Sequence, residues 1–112
     1  MNNTKKTIII KKSDNGVSKI ILNQPEKRNA LSPLMIKELS ESFDELKEDR
    51  HTKVLIISAE GKSFCAGGDL DWMKEQILSD RQTRIHEARK LADLLYKMYI
   101  FPKPLIAQVE GN

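Results

Sequence analysis

Hydrophobic residues change their spacing several times along this chain, and each change marks an element. Thr7-Ile8-Ile9-Ile10-Lys11-Lys12 is β-branched and stops at Ser13-Asp14-Asn15-Gly16, whose Asn-Gly pair is a two-residue turn signal between apolar runs. Val17–Leu22 then reads as the returning strand of an antiparallel hairpin. Residues 23–28 break the periodicity, and Pro25 disfavours helix at Gln24, so a loop is predicted there. Ser32-Pro33 is a helix start: serine accepts a backbone N–H, and proline loses nothing at the first helical position. Met35, Leu39, Phe43 and Leu46 follow at spacings of four, four and three, which places them on one stripe of a helix running to about Arg50. Val54-Leu55-Ile56-Ile57 is continuously apolar, the pattern of a strand buried on both faces of a parallel sheet.

Residues 60–69 hold three of the five glycines and read as a loop. Leu70–Leu78 is predicted to be a short helix capped by Asp69, and Ser79-x-x-Gln82 has the form of a capping box for a second long helix. Ile85, Ala88, Leu91, Ala92, Leu95 and Met98 mark its core stripe, and Pro102 and Pro104 end it. Residues 105–109 read as a further buried strand, stopped by Glu110-Gly111-Asn112. Hairpin, helix, strand, loop, helices and strand in that order predict an α/β fold of crossover units, with the helices covering the sheet and the last strand leaving an open edge. There are no internal repeats or low-complexity tracts.

Composition narrows the class. At 112 residues the length suits one domain, and 39% hydrophobic with a net charge of +3 excludes the disordered class. A single cysteine cannot staple its own chain, which fits a reducing compartment. The run Ile8-Ile9-Ile10 is far shorter than the roughly 7–15 residue apolar region of a secretory signal, and no stretch approaches the ~18 residues of a membrane span. The expectation is a soluble cytoplasmic protein with no membrane partner. Nucleic acid is disfavoured too, because Glu38, Glu41, Glu45 and Glu48 interrupt any basic stripe, and Trp72, Tyr96 and Tyr99 suit helix packing. His51, His86 and Cys65 form no recognisable ligand set, so no metal site is expected, and Cys65 has no histidine placed to activate it.

The segment richest in chemistry is Lys62-Ser63-Phe64-Cys65-Ala66-Gly67-Gly68-Asp69-Leu70, between a strand and a helix. Small residues let a ligand approach the backbone, Gly67 and Gly68 permit positive φ, and a helix start offers unpaired N–H groups with a favourable dipole. If the Gly68 N–H meets a carbonyl oxygen that becomes an enolate, it is half of an oxyanion hole, worth roughly 3–4 kcal/mol per donor. A plain glycine turn into a helix has the same pattern.

Asn29-Ala30-Leu31, the strand 54–58, Ser63 through Leu70, and Lys103-Pro104-Leu105-Ile106-Ala107-Gln108-Val109-Glu110-Gly111-Asn112 together resemble the enoyl-CoA hydratase/isomerase (crotonase) superfamily in order and spacing from about Ile8 onward. Gly68-Asp69-Leu70-Asp71-Trp72-Met73 is nearer in form to methylglutaconyl-CoA or short-chain enoyl-CoA hydratases. The resemblance implies a crotonase-like ββα-unit spiral fold, of which residues 1–112 would be a partial, N-terminal domain. It implies that the Gly68 N–H polarises an acyl-CoA thioester carbonyl and that the backbone at Ala66 meets the adenine. Asp69 and Leu70 would continue that wall, and Arg28 and Ala30 would contact the pantetheine and phosphates, with help from Lys27. Coenzyme A would be part of the substrate, so no separate cofactor is expected, and a homo-oligomer, trimer or hexamer, is the family's habit. Family members run more than twice this length, with the second oxyanion donor just beyond Asn112 and the catalytic carboxylates later still. Glu60, Glu75 and Glu110 therefore take no catalytic role, and the 112-residue chain alone is expected to be a poor catalyst. The alternative is a non-catalytic truncated module for CoA binding or assembly.

Overall fold

The computed structural model describes residues 2–111. Strands β2 (Ile8–Lys12) and β3 (Val17–Leu22) pair antiparallel with Ile10 opposite Ile20 and Lys12 opposite Ser18. Their connection spans four residues rather than the two-residue turn read from Asn15-Gly16. Asn15 Oδ1 accepts from the Val17 amide at 3.2 Å, and only Gly16 lies at positive φ, +89°. A Cβ on Gly16 would come within 2.7 Å of Lys53 Cγ, so the residue is glycine for space as well as for φ.

A short strand that the polar Asn2-Asn3-Thr4 did not announce, β1 (Asn2–Thr4), pairs antiparallel with β2 at the sheet edge. From β3 the chain crosses through α1 (Pro33–Glu48) to β4 (Val54–Ala59), then through α2 (Leu70–Leu78) and α3 (Arg81–Tyr99) to β5 (Leu105–Ala107). The sheet order is β1-β2-β3-β4-β5, with β3–β4 and β4–β5 parallel, as crossover connections require. The last strand stops at Ala107, short of the predicted 109, and Val109 is exposed.

Alternation sends Ile8, Ile10, Ile20, Leu22, Leu55 and Ile57 to one face of the sheet, where they meet Met35, Leu39, Phe43 and Leu46 of α1. Ser32 caps that helix as its sequence predicts, its Oγ accepting from the Met35 amide at 3.2 Å. The last turn is closed by Lys103, whose Nζ donates to the Leu46 and Asp49 carbonyls at 2.7 and 2.6 Å. β4 is not buried on both faces: Val54 and Ile56 are only half-covered, because α1 and α3 stand together on the side of Leu55 and Ile57.

The α3 stripe also differs from its prediction. Leu94 is buried, with Leu91 and Met98 leaning on the core, whereas Ile85, Ala88, Ala92 and Leu95 lie on the adjacent, exposed row. At 3.6 residues per turn the two rows interleave in sequence, and spacing alone does not say which one faces inward. Nor is Ser79 the cap of α3. Asp80 takes that place, accepting from the Thr83 amide at 2.8 Å, while the Ser79 hydroxyl donates back to the Gln76 carbonyl and ends α2.

Two carboxylates tie the frame. Burial pushes the Glu38 carboxyl up, but bonds from the Thr7 hydroxyl and amide and the Lys6 amide outweigh it and hold its pKa below the usual value. Asp49 is held at about 2, chiefly by the Thr52 hydroxyl at 2.7 Å, against some desolvation and with further help from the His51 amide and Lys12. Among the described residues no helix is long and apolar enough to cross a membrane.

Candidate functional site

Two loops leave the ends of β3 and β4 and run side by side. In the first, Pro25–Lys27 forms a single 3-10 turn inside the predicted loop, and Arg28 and Asn29 follow in the left-handed region at φ 52° and 54°. The second begins where the Glu60 amide donates to the Leu22 carbonyl at 2.9 Å and passes beneath Pro25 at Gly61. A Cβ on Gly61 would lie 2.6 Å from Pro25 Cβ.

The loops are then laced by backbone hydrogen bonds. The Ala66 amide donates to the Arg28 carbonyl at 3.0 Å, Leu31 N–H to Gly67 at 2.6 Å, and Asp69 N–H to Leu31 at 2.9 Å, with a parallel bridge between Leu31 and Gly68. Asn29, fully buried, adds a side-chain tie. Its Oδ1 accepts from the Gln24 amide at 2.7 Å, and its Nδ2 donates to the Glu60 and Ser63 carbonyls at 2.8 and 2.9 Å.

This lacing brings Arg28, Ala30, Ala66, Gly68, Asp69 and Leu70, residues up to 42 positions apart in sequence, into the wall of one open cleft of about 560 Å³. Glu26, Lys27 and Asp71 complete the lining, so its charges are mixed. Glu26 and Asp71 were not singled out in the sequence, where exposed acidic residues beside a loop carry no distinguishing signal.

Gly67 takes φ +99°, but Gly68 does not share a positive φ, contrary to the expectation for both glycines. What matters at Gly68 is its amide. Among the described residues the Gly68 N–H makes no hydrogen bond, nor does that of Gly67, while the amides of Ala66 and Asp69 that bracket the two glycines are paired. An unpaired donor in the wall of a cleft, one residue before a helix cap, can meet an anionic or polarised oxygen. Asp69 does not offer its carboxylate to a ligand freely: Oδ1 accepts from the Trp72 amide at 3.0 Å and caps α2, as its position predicts. Leu70 is 72% exposed, an apolar surface beside the unpaired amide.

The remaining candidates stay apart from the cleft. Cys65 is half-buried against the core, and His51 and His86 are exposed on other elements. Glu60, Glu75 and Glu110 are exposed. Among the described residues no three His, Cys, Asp or Glu side chains gather as a metal site would need. A larger groove of about 740 Å³ lies between α1 and α3, lined by Leu34, Lys37, Tyr96 and Lys97 among others. Lys97 there is tied to Ser40 and Asp44 at 2.7 and 2.9 Å, and although the first turn of α1 lines the groove through Pro33 and Leu34, no glycine does.

Comparison with known proteins adds a second line. Residues 12–112 match the family model described as enoyl-CoA hydratase/isomerase. A Thermus thermophilus relative is 33% identical over 95 residues, which are 85% of this chain and 38% of its own. The human enoyl-CoA hydratase domain-containing protein 2, mitochondrial, is 34% identical over 88% of this chain and 33% of its own. Among solved structures, an enoyl-CoA hydratase from Shewanella pealeana superposes with a TM-score of 0.91 at 32% identity, covering 94% of this chain and 39% of the other. One from Mycobacterium smegmatis gives 0.86 at 31%, covering 94% and 40%. The chain thus spans between a third and two-fifths of the length of these relatives.

Proposed function

The chain belongs to the enoyl-CoA hydratase/isomerase (crotonase) family, whose N-terminal portion it matches, and from that premise we propose that its cleft holds an acyl-CoA thioester and that the Gly68 N–H polarises the thioester carbonyl. The observation that carries this reading is the unpaired Gly68 amide in the wall of a cleft whose other residues come from both loops.

Each residue then has a task that its position suits. Arg28, exposed at the rim, presents to the phosphates a planar guanidinium suited to bidentate contact. Ala30 and Ala66, with no side chain beyond Cβ, let pantetheine and adenine lie against the backbone. Leu70 supplies apolar surface for the acyl chain next to Gly68, and Asp69 keeps α2 wound so that its N-terminus stays in place. In hydration or isomerisation of a 2-enoyl thioester, negative charge develops on the carbonyl oxygen. A fixed N–H aimed at that oxygen therefore binds the transition state more strongly than the ground state. Coenzyme A is part of the substrate in this reading, so the cleft needs no separate cofactor. The general acid and base are not assigned to residues of this chain.

Assembly with further polypeptide or with copies of the chain is proposed alongside, because α2 leaves Ile77 and Leu78 75% and 89% exposed and buries none of its residues. The test of the binding claim is titration calorimetry with coenzyme A. Association is expected in the range of about 0.1–1 mM, some 4–5.5 kcal/mol, as suits an open cleft. It should weaken at high salt, where the attraction between Arg28, Lys27 and the phosphates is screened. Absence of heat at millimolar coenzyme A would remove the reading.

A further inference from the structure

Asn29 does not itself line the cleft, yet it stands where the two cleft loops are tied. It is fully buried, and its side chain has every polar valence in use that the site can satisfy: one acceptor for the Gln24 amide and two donors for the Glu60 and Ser63 carbonyls. Its own amide returns a bond to the Gln24 carbonyl at 2.9 Å, so the turn 24–29 is closed on itself before it is fastened to the turn 60–63.

The consequences run outward along the chain in both directions. Arg28 and Ala30 flank Asn29, and Ser63 lies three residues before Ala66 and five before Gly68. On the far side the loops are held by only three backbone bonds, at Ala66, Leu31 and Asp69. A ladder of three bonds at the end of two loops frays easily, and Asn29 is the buried fastening that shortens those loops.

Few side chains can fill the place. φ is +54°, a region asparagine tolerates and most side chains do not. Aspartate would keep the acceptor but lose both donors, setting a carboxylate against two carbonyl oxygens. Glycine would accept the φ and keep the backbone bond but lose all three side-chain bonds.

We propose that Asn29 is a positioning residue for the cleft: it fixes the separation of the Arg28–Ala30 wall from the Ala66–Gly68 wall, and so sets how well an acyl-CoA fits between them. This rests on the acyl-CoA reading above, and the experiment separates the two.

The full chain is compared with Asn29→Gly, Asn29→Asp and, as a stability control, Thr52→Val. Thr52 is buried and bonded to Ser18 and Asp49 at 2.7 Å, but it lies at the opposite end of β4 from the cleft. Two quantities are read at a temperature where denaturant titration shows each variant folded: coenzyme A affinity by calorimetry, and amide exchange residue by residue. Asn29→Gly and Asn29→Asp should each weaken coenzyme A binding by about tenfold or more, while Thr52→Val stays within about twofold at a comparable loss of melting temperature. Exchange of the Leu31, Ala66 and Asp69 amides should quicken by about tenfold in both Asn29 variants, with the Ile20 and Ile57 amides little changed.

If the wild-type chain does not bind coenzyme A, the functional reading fails, and the exchange measurement still decides the positioning role. Retained protection at Leu31, Ala66 and Asp69 in Asn29→Gly would overturn the proposal, as would affinity equal to the wild type where the wild type binds. Unfolding of both Asn29 variants in the cold would also overturn it, since Asn29 would then be a residue of general stability.

Discussion

Phe43→Ala should lower the free energy of unfolding by about 3–5 kcal/mol, against a total of only about 5–15 kcal/mol for a domain of this size. Phe43 is 1% exposed and sits where α1 meets the sheet, in the same cluster as Ile10, Ile20 and Leu55. Its ring also meets Phe101 edge to face, with centroids 5.5 Å apart at 82°, so the truncation removes an aromatic pair together with the buried area. The element that carries Phe43 is capped at one end by Ser32 and closed at the other by Lys103, so α1 has little freedom to shift and fill the hole. The measurement is urea unfolding. The midpoint should fall steeply with the slope unchanged, while Leu95→Ala, at a position 54% exposed, should stay within about 0.5 kcal/mol. A loss of under about 1 kcal/mol at Phe43 would contradict the packing described for the core.

The second large effect is expected at Gly68. Proline there removes an unpaired amide of the cleft wall, next to the α2 cap, and with it the donor proposed to meet the thioester oxygen. A suitable setting is a chimera in which this segment replaces the matching 39% of the Shewanella pealeana enoyl-CoA hydratase, whose backbone it follows with a TM-score of 0.91. Hydration of a 2-enoyl-CoA should then lose a factor of about 10²–10³ in kcat in Gly68→Pro. Gly68→Ala separates the amide from the geometry. It keeps the N–H, and its Cβ meets only the mobile Met73 side chain, with Sδ 3.3 Å away. The alanine variant should therefore keep most of the rate. Equal losses in the two variants would show that crowding, not the lost donor, is responsible.

The elements with strong local chemistry were legible from the sequence. Ser32-Pro33 and Asp69 announce their helices by capping, and both side chains accept the amides three residues on. The Met35-Leu39-Phe43-Leu46 stripe needed no tertiary information, because it marks the one apolar face that α1 has to bury. Where two faces compete, the sequence is silent. α3 carries the rows 91-94-98 and 85-88-92-95, and the choice between them is made by α1, which lies far away in sequence. Val54-Leu55-Ile56-Ile57 is equally apolar on both faces, but α1 and α3 cover only one. The cap of α3 slipped from Ser79 to Asp80 because two capping residues stand side by side and the end of α2 uses the first.

The site divides in the same way. The glycine loop and the Asn29-Ala30-Leu31 segment stand out as motifs, and the structure places their residues along one cleft. What holds them there could not be read. A buried asparagine with three hydrogen bonds looks, in sequence, like any polar residue in a loop. The unpaired state of the Gly68 amide follows from the register of the ladder between Arg28, Leu31, Ala66, Gly67 and Asp69, a contact between segments more than 30 residues apart.

The most direct test of the acyl-CoA cleft is an amide-resolved NMR titration of the chain with a saturated acyl-CoA thioester. The expected result is a set of shifts confined to Arg28, Ala30, Ala66, Gly68 and Leu70, with the Gly68 amide proton moving downfield as it takes up the carbonyl oxygen and Tyr96 and Lys97 unmoved. Shifts centred on the α1–α3 groove, or a Gly68 amide that does not move at saturation, would contradict it.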